Sequence, residues 1–223
     1  LEGEIVGADS RQVYRHMDIG TAKPSPGDRA RVPHHLIDVV DPDEQFGLAS
    51  YLALAKQSIT NTSLRGKIPI LVGGTGQYIW ALLEGWNVPR VPPDLDTRES
   101  LAELAEVSGV SAVLQLLEEI DPAAASRVDG RNPRRIIRAI EVARYGRRSN
   151  PAKVPPPYET LVLGLGLARS RLYEQIDRRV DEMMDAGWLS EVEALLEMGY
   201  GPDLPSMSGV GYGELAGHLR GES

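Results

Sequence analysis

Hydrophobic positions fall into short strand-like runs separated by stretches of helical spacing. Glu4 to Ala8 predicts a short strand ending at Asp9, and the apolar, β-branched run Lys67 to Val72 predicts another ending at Gly73-Gly74-Thr75-Gly76. Between them Leu48, Leu52, Ala55 and Ile59 step by three or four, which predicts a helix from about Leu48 to Leu64. After the glycines, Tyr78, Ile79, Leu82 and Leu83 predict a helix over Gln77 to Glu84, closed by Gly85, so the glycines sit at a strand-to-helix turn. Strand, helix, strand is the pattern of a parallel α/β sheet with crossover helices. Thr160 to Leu167 is a third strand candidate.

Two proline-rich stretches, Asn87 to Pro93 and Pro151 to Pro157, bracket a segment of different character. Leu101 to Val107, Ala112 to Ile120 and Pro133 to Tyr145 have helical spacing there, the last opened by the cap-and-proline pair Asn132-Pro133. The expected organisation is therefore an α/β core, 1–92 with 156–223, carrying a small helical insertion, 93–155. Further on, Ser170 is the expected cap of a helix carrying Leu172, Ile176, Val180 and Met183 and ending at Ala186-Gly187. A last helix runs from Leu189 to Met198 and stops at Gly199.

Composition narrows the function classes. At 223 residues the chain can bury one substantial core, and the absence of cysteine excludes disulfides and Cys-based zinc or redox sites. No run approaches the roughly 20 apolar residues of a membrane span, and Leu1-Glu2-Gly3-Glu4 has no signal-peptide character, so a soluble, cytoplasmic, monomeric protein is expected. The net charge of -8 argues against a nucleic-acid partner only on average. Between Arg127 and Arg148 lie eight arginines against Asp129 and Glu141, whereas Asp94 to Asp121 is strongly acidic with only Arg98 opposing. One basic face is the consequence.

Candidate chemistry gathers at the strand ends, where ligands bind in open α/β sheets. Asp9 is either a general base or a cap for the following turn. Gly73 to Gly76 can present backbone N–H groups and the Thr75 hydroxyl to a phosphate, or serve tight geometry alone; neither G-x-x-x-x-G-K-[ST] nor G-x-G-x-x-G occurs in the chain. Arg134, Arg135 and Arg138 share one side of a helix and offer either an RNA-binding stripe or a solvated basic face. Arg171 and Arg179 either meet a diphosphate or pair with nearby carboxylates. His34-His35 lacks ligand spacing and reads as structural, so no metal site is assigned; Trp80, Trp86 and Trp188 read as core or interface side chains.

The run Ala8-Asp9-Ser10-Arg11-Gln12-Val13-Tyr14-Arg15, followed by Met17-Asp18-Ile19-Gly20-Thr21-Ala22-Lys23-Pro24, resembles the signature of the tRNA dimethylallyltransferases, the tRNA isopentenyltransferase family. Pro33-His34-His35-Leu36-Ile37-Asp38, P-I-L-V-G-G-T-G-Q-Y from Pro69 to Tyr78, Asp121-Pro122-Ala123-Ala124, Leu204-Pro205-Ser206-Met207 and Val210-Gly211-Tyr212 follow in the family's order. The likeness spans essentially the whole chain.

The resemblance implies a P-loop NTPase-like core that transfers dimethylallyl from dimethylallyl diphosphate to the exocyclic amine of the adenosine immediately 3′ of the anticodon, assisted by Mg2+. It implies Asp9 as base, with Thr75 and Arg179 completing the catalytic set, and Gly73, Gly74, Thr75, Lys23 and Arg179 at the diphosphate. The tRNA anticodon arm would be held by Asp9, Ser10, Arg11, Gln12, Thr75 and Arg98, by the run Arg134, Arg135, Ile136, Ile137 and Arg138, and by Ser208, Gly209 and Tyr212. Family members carry a strand and a G-P-T-A-x-G-K-T loop upstream of the segment matching Leu1 and a basic region beyond the match to Ser223; near Asn150-Pro151 the chain is shorter than their pattern. A prenyltransferase acting on free adenine nucleotides, a nucleotide kinase of shared phosphate-loop ancestry, and an RNA-binding module without catalysis are the alternatives, and the arginine-rich helix favours an extended RNA over a free nucleotide.

Overall fold

The structure is a computed structural model that describes residues 2–145 and 153–222. The chain divides into two compact units, one formed by the residues up to Leu83 together with those from Pro156 onward, the other by Glu84–Pro155. The shortening near Asn150-Pro151, and Arg147 and Arg148 of the basic run, lie outside the described residues.

The first unit is built on a parallel three-stranded sheet. Strand β1 (Gly3–Gly7) lies between β2 (His34–His35) and β3 (Ile68–Val72), with Ile5 opposite His34 on one side and Gly7 opposite Val72 on the other. The β1-to-β2 connection carries helix α1 (Pro26–Arg31), and α2 (Leu48–Leu64) crosses from β2 to β3. Tyr51, Leu52, Ala55 and Ile59 of α2 are buried, as the three-four stepping requires. Helix α3 (Gly76–Leu83) follows β3 directly.

In the second unit α4 (Leu95–Ser108), α5 (Val110–Ile120), the single turn α6 (Pro122–Ala125) and α7 (Pro133–Arg144) close on Leu101, Val113, Leu117, Ile136 and Ile140. Asn132 caps α7 by accepting from Arg135 N–H at 3.3 Å, with proline in the first turn. The chain then returns to the first unit with α8 (Arg169–Asp185), α9 (Trp188–Glu197), a 3-10 turn Pro205–Ser208 and α10 (Tyr212–Leu219). Trp188, Val192 and Leu195 pack with Val13, Met17 and Met207 there.

Two expectations change. Thr160 to Leu167 forms no strand: the sheet ends at β2 and β3, the segment pairs with neither, and Leu161 and Leu165 stay exposed. A strand pattern without a hydrogen-bonding neighbour has no ladder to join. The cap of α8 is Ala168, with no side-chain hydrogen bond, so Ser170 lies inside the helix.

The sheet is anchored by a buried acid. Glu4 in β1 is 3% exposed and bonds His35 at 2.7 Å, Thr62 at 3.2 Å, Lys67 at 3.4 Å and the Arg65 guanidinium. The hydrogen bonds from His35 and then Arg65 hold its carboxyl down at about 2 against an ordinary 4.5. The unfolded chain therefore takes up the proton first as acid is added, so this contribution to stability is whole above about pH 4.5 and is lost as the pH falls through about 2. Thermal melts of wild type and Glu4→Gln from pH 6 to pH 2 test this: the variant should be less stable at pH 6, and the gap should close toward pH 2.

Candidate active site

The two strand exits touch. Ala8 N–H donates to Val72 O at 2.7 Å, and Thr75 N–H donates back to Ala8 O at 3.0 Å. A Cβ on Gly73 would lie 2.2 Å from Ala8 O, so only glycine lets the β3 exit rest on the β1 exit. Gly74 faces open space. The Thr75 hydroxyl accepts from Ser10 N–H at 2.9 Å and donates to Ser10 Oγ at 3.3 Å, locking the glycine turn to the residue after Asp9.

Asp9 combines the two roles its sequence context left open. Its Oδ1 accepts from Arg11 N–H at 2.7 Å and Gln12 N–H at 3.3 Å, which is the turn-capping use of a strand-end aspartate. Among the described residues Oδ2 has no hydrogen-bond partner. The carboxylate is thus fixed by one oxygen and available by the other. Tyr78 stacks on Tyr51, ring centroids 3.9 Å apart, and burial pushes the Tyr78 phenol up to about 12, with Tyr14 and Asp9 adding to the rise.

Several residues expected to meet RNA or diphosphate turn inward. Arg11 donates to Pro205 O at 2.6 Å, Ser206 O at 3.2 Å and Ser208 Oγ at 3.1 Å, so it ties the Asp9 turn to the 3-10 turn. Gln12 donates through Nε2 to Thr21 O and Ala22 O, each at 3.1 Å. Lys23, expected at the diphosphate, has a side chain only 3% exposed and directs its ammonium to Tyr14 O, Asp18 and Asp38. Asp38 also binds Arg29 at 2.6 Å; burial raises its pKa, but the bonds from Lys23 and Arg29 outweigh that and hold it below its usual value. Tyr212 is 1% exposed and donates its hydroxyl to Glu191 at 2.6 Å, which removes its side chain from any RNA contact. Ser208 remains exposed, and Gly209 packs against Tyr212 and Arg11.

Backbone strain collects in the same region. His16, Ala22, Leu36 and Asp38 have φ of 64°, 48°, 65° and 54°. Such non-glycine residues cost on the order of 1–3 kcal/mol each and persist where surrounding contacts over-determine them. Arg179 is exposed on α8 and lines a cavity of about 780 Å³ whose walls include Lys23, Arg29, Arg178, Leu172 and Ile176. Asp9 and Thr75 do not line it. No three His, Asp or Glu side chains converge among the described residues; His34 Nδ1 lies 2.7 Å from Val32 O, and His35 belongs to the Glu4 cluster.

On the second unit, Ile136 and Ile137 are 0% and 7% exposed and belong to its core, so the tRNA contact expected of their side chains is corrected: a helix that presents arginines outward must bury this face. Arg98 and Arg138 converge on Glu141, whose side chain is 1% exposed. Arg98 reaches it at 2.8 and 3.1 Å and Arg138 at 3.0 Å, while Asp94 N–H adds a bond of 3.0 Å. Burial raises the Glu141 pKa, but these bonds bring it below the usual range. Arg134 and Arg135 are exposed. Sequence reasoning missed Glu141 and Glu191; the usable signal was an acid spaced to fall on the buried face of each helix.

These features define a parallel α/β protein whose candidate site lies at touching strand ends, with a separate helical unit that exposes arginines. The chain belongs to the IPP transferase family, whose model matches residues 12–223. It is 54% identical to the tRNA dimethylallyltransferase of Roseiflexus sp. (strain RS-1) over 226 residues, covering 99% of this chain and 73% of that protein. It is 51% identical to the tRNA dimethylallyltransferase of Herpetosiphon aurantiacus, over 96% and 69% of the two chains. Among solved structures, the full-length tRNA isopentenylpyrophosphate transferase of Bacillus halodurans matches with a TM-score of 0.67 and 39% identity, over 100% of this chain and 71% of that one. A eukaryotic dimethylallyltransferase acting on tRNA matches with a TM-score of 0.77 and 26% identity, over 99% and 57%.

The arginines divide by what they touch, and so should their substitutions. Arg98→Ala strips the bidentate partner from a buried carboxylate and should cost on the order of 1–3 kcal/mol in thermal or urea unfolding; Arg134→Ala should change stability by less than about 0.5 kcal/mol.

Proposed function

We propose that this protein transfers a dimethylallyl group from dimethylallyl diphosphate to the exocyclic amine of the adenosine immediately 3′ of the anticodon in tRNA, with Asp9 as the general base. The observation that carries the reading is the divided carboxylate of Asp9, one oxygen held by the Arg11 and Gln12 amides and the other without a partner among the described residues. The target base must leave the anticodon-loop stack to reach such a group. The amine nitrogen then attacks the allylic carbon, the carbon–oxygen bond breaks toward diphosphate, and the amine proton passes to Asp9. Gly74 in the turn before α3, together with the N-terminal end of that helix, favours the departing negative charge through backbone dipoles, while the Thr75 N–H stays committed to Ala8 O and holds the turn in place. Arg179 on α8 lines a cavity that Asp9 and Thr75 do not line, and its role as a cation for the diphosphate rests on the family resemblance.

The family also implies magnesium. Such ions bind through one or two protein oxygens plus substrate phosphates, and one held with the diphosphate would offset its charge. The core that holds the site is, in this reading, of the P-loop NTPase kind. Arg134 and Arg135 provide phosphate contacts on the second unit; Arg98 and Arg138, 41% and 37% exposed, also brace that unit by pairing with the buried Glu141.

Nucleoside mass spectrometry of unmodified tRNA incubated with the protein, dimethylallyl diphosphate and Mg2+ tests the reaction: a dimethylallyl mass gain on adenosine next to the anticodon is expected, and no gain on any nucleoside overturns it. Neutralising Arg134 and Arg135 should weaken tRNA binding and reduce the salt slope by about 2.

A further inference from the structure

The Met17–Ala22 turn is held on both sides. From α9, the Glu191 carboxylate accepts from three successive backbone amides, Asp18 at 2.8 Å, Ile19 at 2.7 Å and Gly20 at 3.3 Å, and also from the Tyr212 hydroxyl. No cation pairs with Glu191 among the described residues, so backbone amides and one phenol satisfy its charge. Trp188, one helical turn earlier, presses its indole into the space left by two glycines: a Cβ on Gly20 would meet the ring at 2.1 Å and one on Gly211 at 1.9 Å. From the other side, Gln12 takes the Thr21 and Ala22 carbonyls, and Gln12 N–H caps Asp9 Oδ1. The positive-φ residues His16 and Ala22 bracket the turn, so it does not hold this shape by local preference.

We infer that Glu191 is a positioning residue for the Asp9 site, acting through the 18–22 turn and the Gln12 side chain to fix the Asp9 carboxylate. The inference rests on the prenyl-transfer reading for its kinetic consequence but not for its structural one. Removing the carboxylate releases three amides and the Tyr212 hydroxyl at once; the strained turn relaxes, Gln12 loses its two acceptors, and the second amide bound to Asp9 Oδ1 moves with it. Asp9 then samples more orientations. The rate of the chemical step falls while tRNA binding, carried elsewhere, persists. Glutamine at this position keeps one carbonyl for the Asp18 and Ile19 amides but sets an NH2 against Gly20 N–H, so it should restore part of the function.

The test uses the full-length protein with Glu191→Ala, Glu191→Gln, Gln12→Ala and the Glu191→Ala/Gln12→Ala pair, each checked for a cooperative melt. Glu191→Ala should lower kcat by about 10-fold or more with KM for tRNA within about 3-fold, Glu191→Gln by only about 3- to 5-fold, and the double variant should lose little beyond the larger single effect. If the alanine variant does not fold, the glutamine variant decides, and a wild-type kcat there overturns the inference. Multiplicative losses in the pair also overturn it. Hydrogen exchange provides a reading independent of activity: the Arg11 and Gln12 amides should lose protection together with those of 18–20, and loss confined to 18–20 would show that Glu191 holds only its own turn. An inactive wild type with coupled exchange would remove the proposed reaction and leave the positioning intact.

Discussion

Everything at the site depends on one close approach, the Gly73 backbone lying against Ala8. With no side chain between them, Ala8 donates its N–H to Val72 and accepts from the Thr75 N–H across the ends of β1 and β3, and Thr75 can then grip Ser10. Asp9 is consequently held between a strand that cannot shift and a turn fastened to the neighbouring loop. Parallel strands leave their carboxyl ends on one edge of the sheet, so the same geometry that closes the fold also gathers the reactive groups.

Most of the polar residues around Asp9 serve construction. Arg11 joins the first turn to Pro205–Ser208, Gln12 joins it to Thr21 and Ala22, and Lys23 gathers Tyr14, Asp18 and Asp38. Each satisfies backbone carbonyls or carboxylates that an irregular loop would otherwise leave without partners. The second unit repeats the device with Glu141 between Arg98 and Arg138. An arginine-rich segment is therefore a mixture, and its exposed members carry the contacts available to a polyanion.

The sequence made the regular elements readable where periodicity and punctuation agreed. Leu48–Leu64 and the Asn132 cap of Pro133–Arg144 stand as expected because buried faces and caps are local properties. The strand His34–His35 was invisible, being two residues long with no apolar alternation, and Thr160 to Leu167 misled because its pattern says nothing about whether a neighbour is present. At the site, Asp9, Ser10 and Thr75 were legible from their place after strands. The direction in which Arg11, Lys23, Arg98 and Tyr212 point was not, since each owes its orientation to a partner between 15 and 194 positions away along the chain. For Glu191 the spacing placed an acid on the buried face of its helix, but its partners, three backbone amides and the Tyr212 hydroxyl, were hidden for the same reason.

Asp9→Asn isolates the division of labour between the two oxygens of Asp9. Asparagine keeps an oxygen that can accept from the Arg11 and Gln12 amides, so the turn should survive, while the group able to take a proton is gone. Single-turnover prenyl transfer to tRNA at saturating dimethylallyl diphosphate is the direct reading. A rate lower by about 100-fold or more with tRNA affinity preserved is expected; a rate close to that of the wild type, in a variant that still binds tRNA, would overturn the assignment of Asp9 as base.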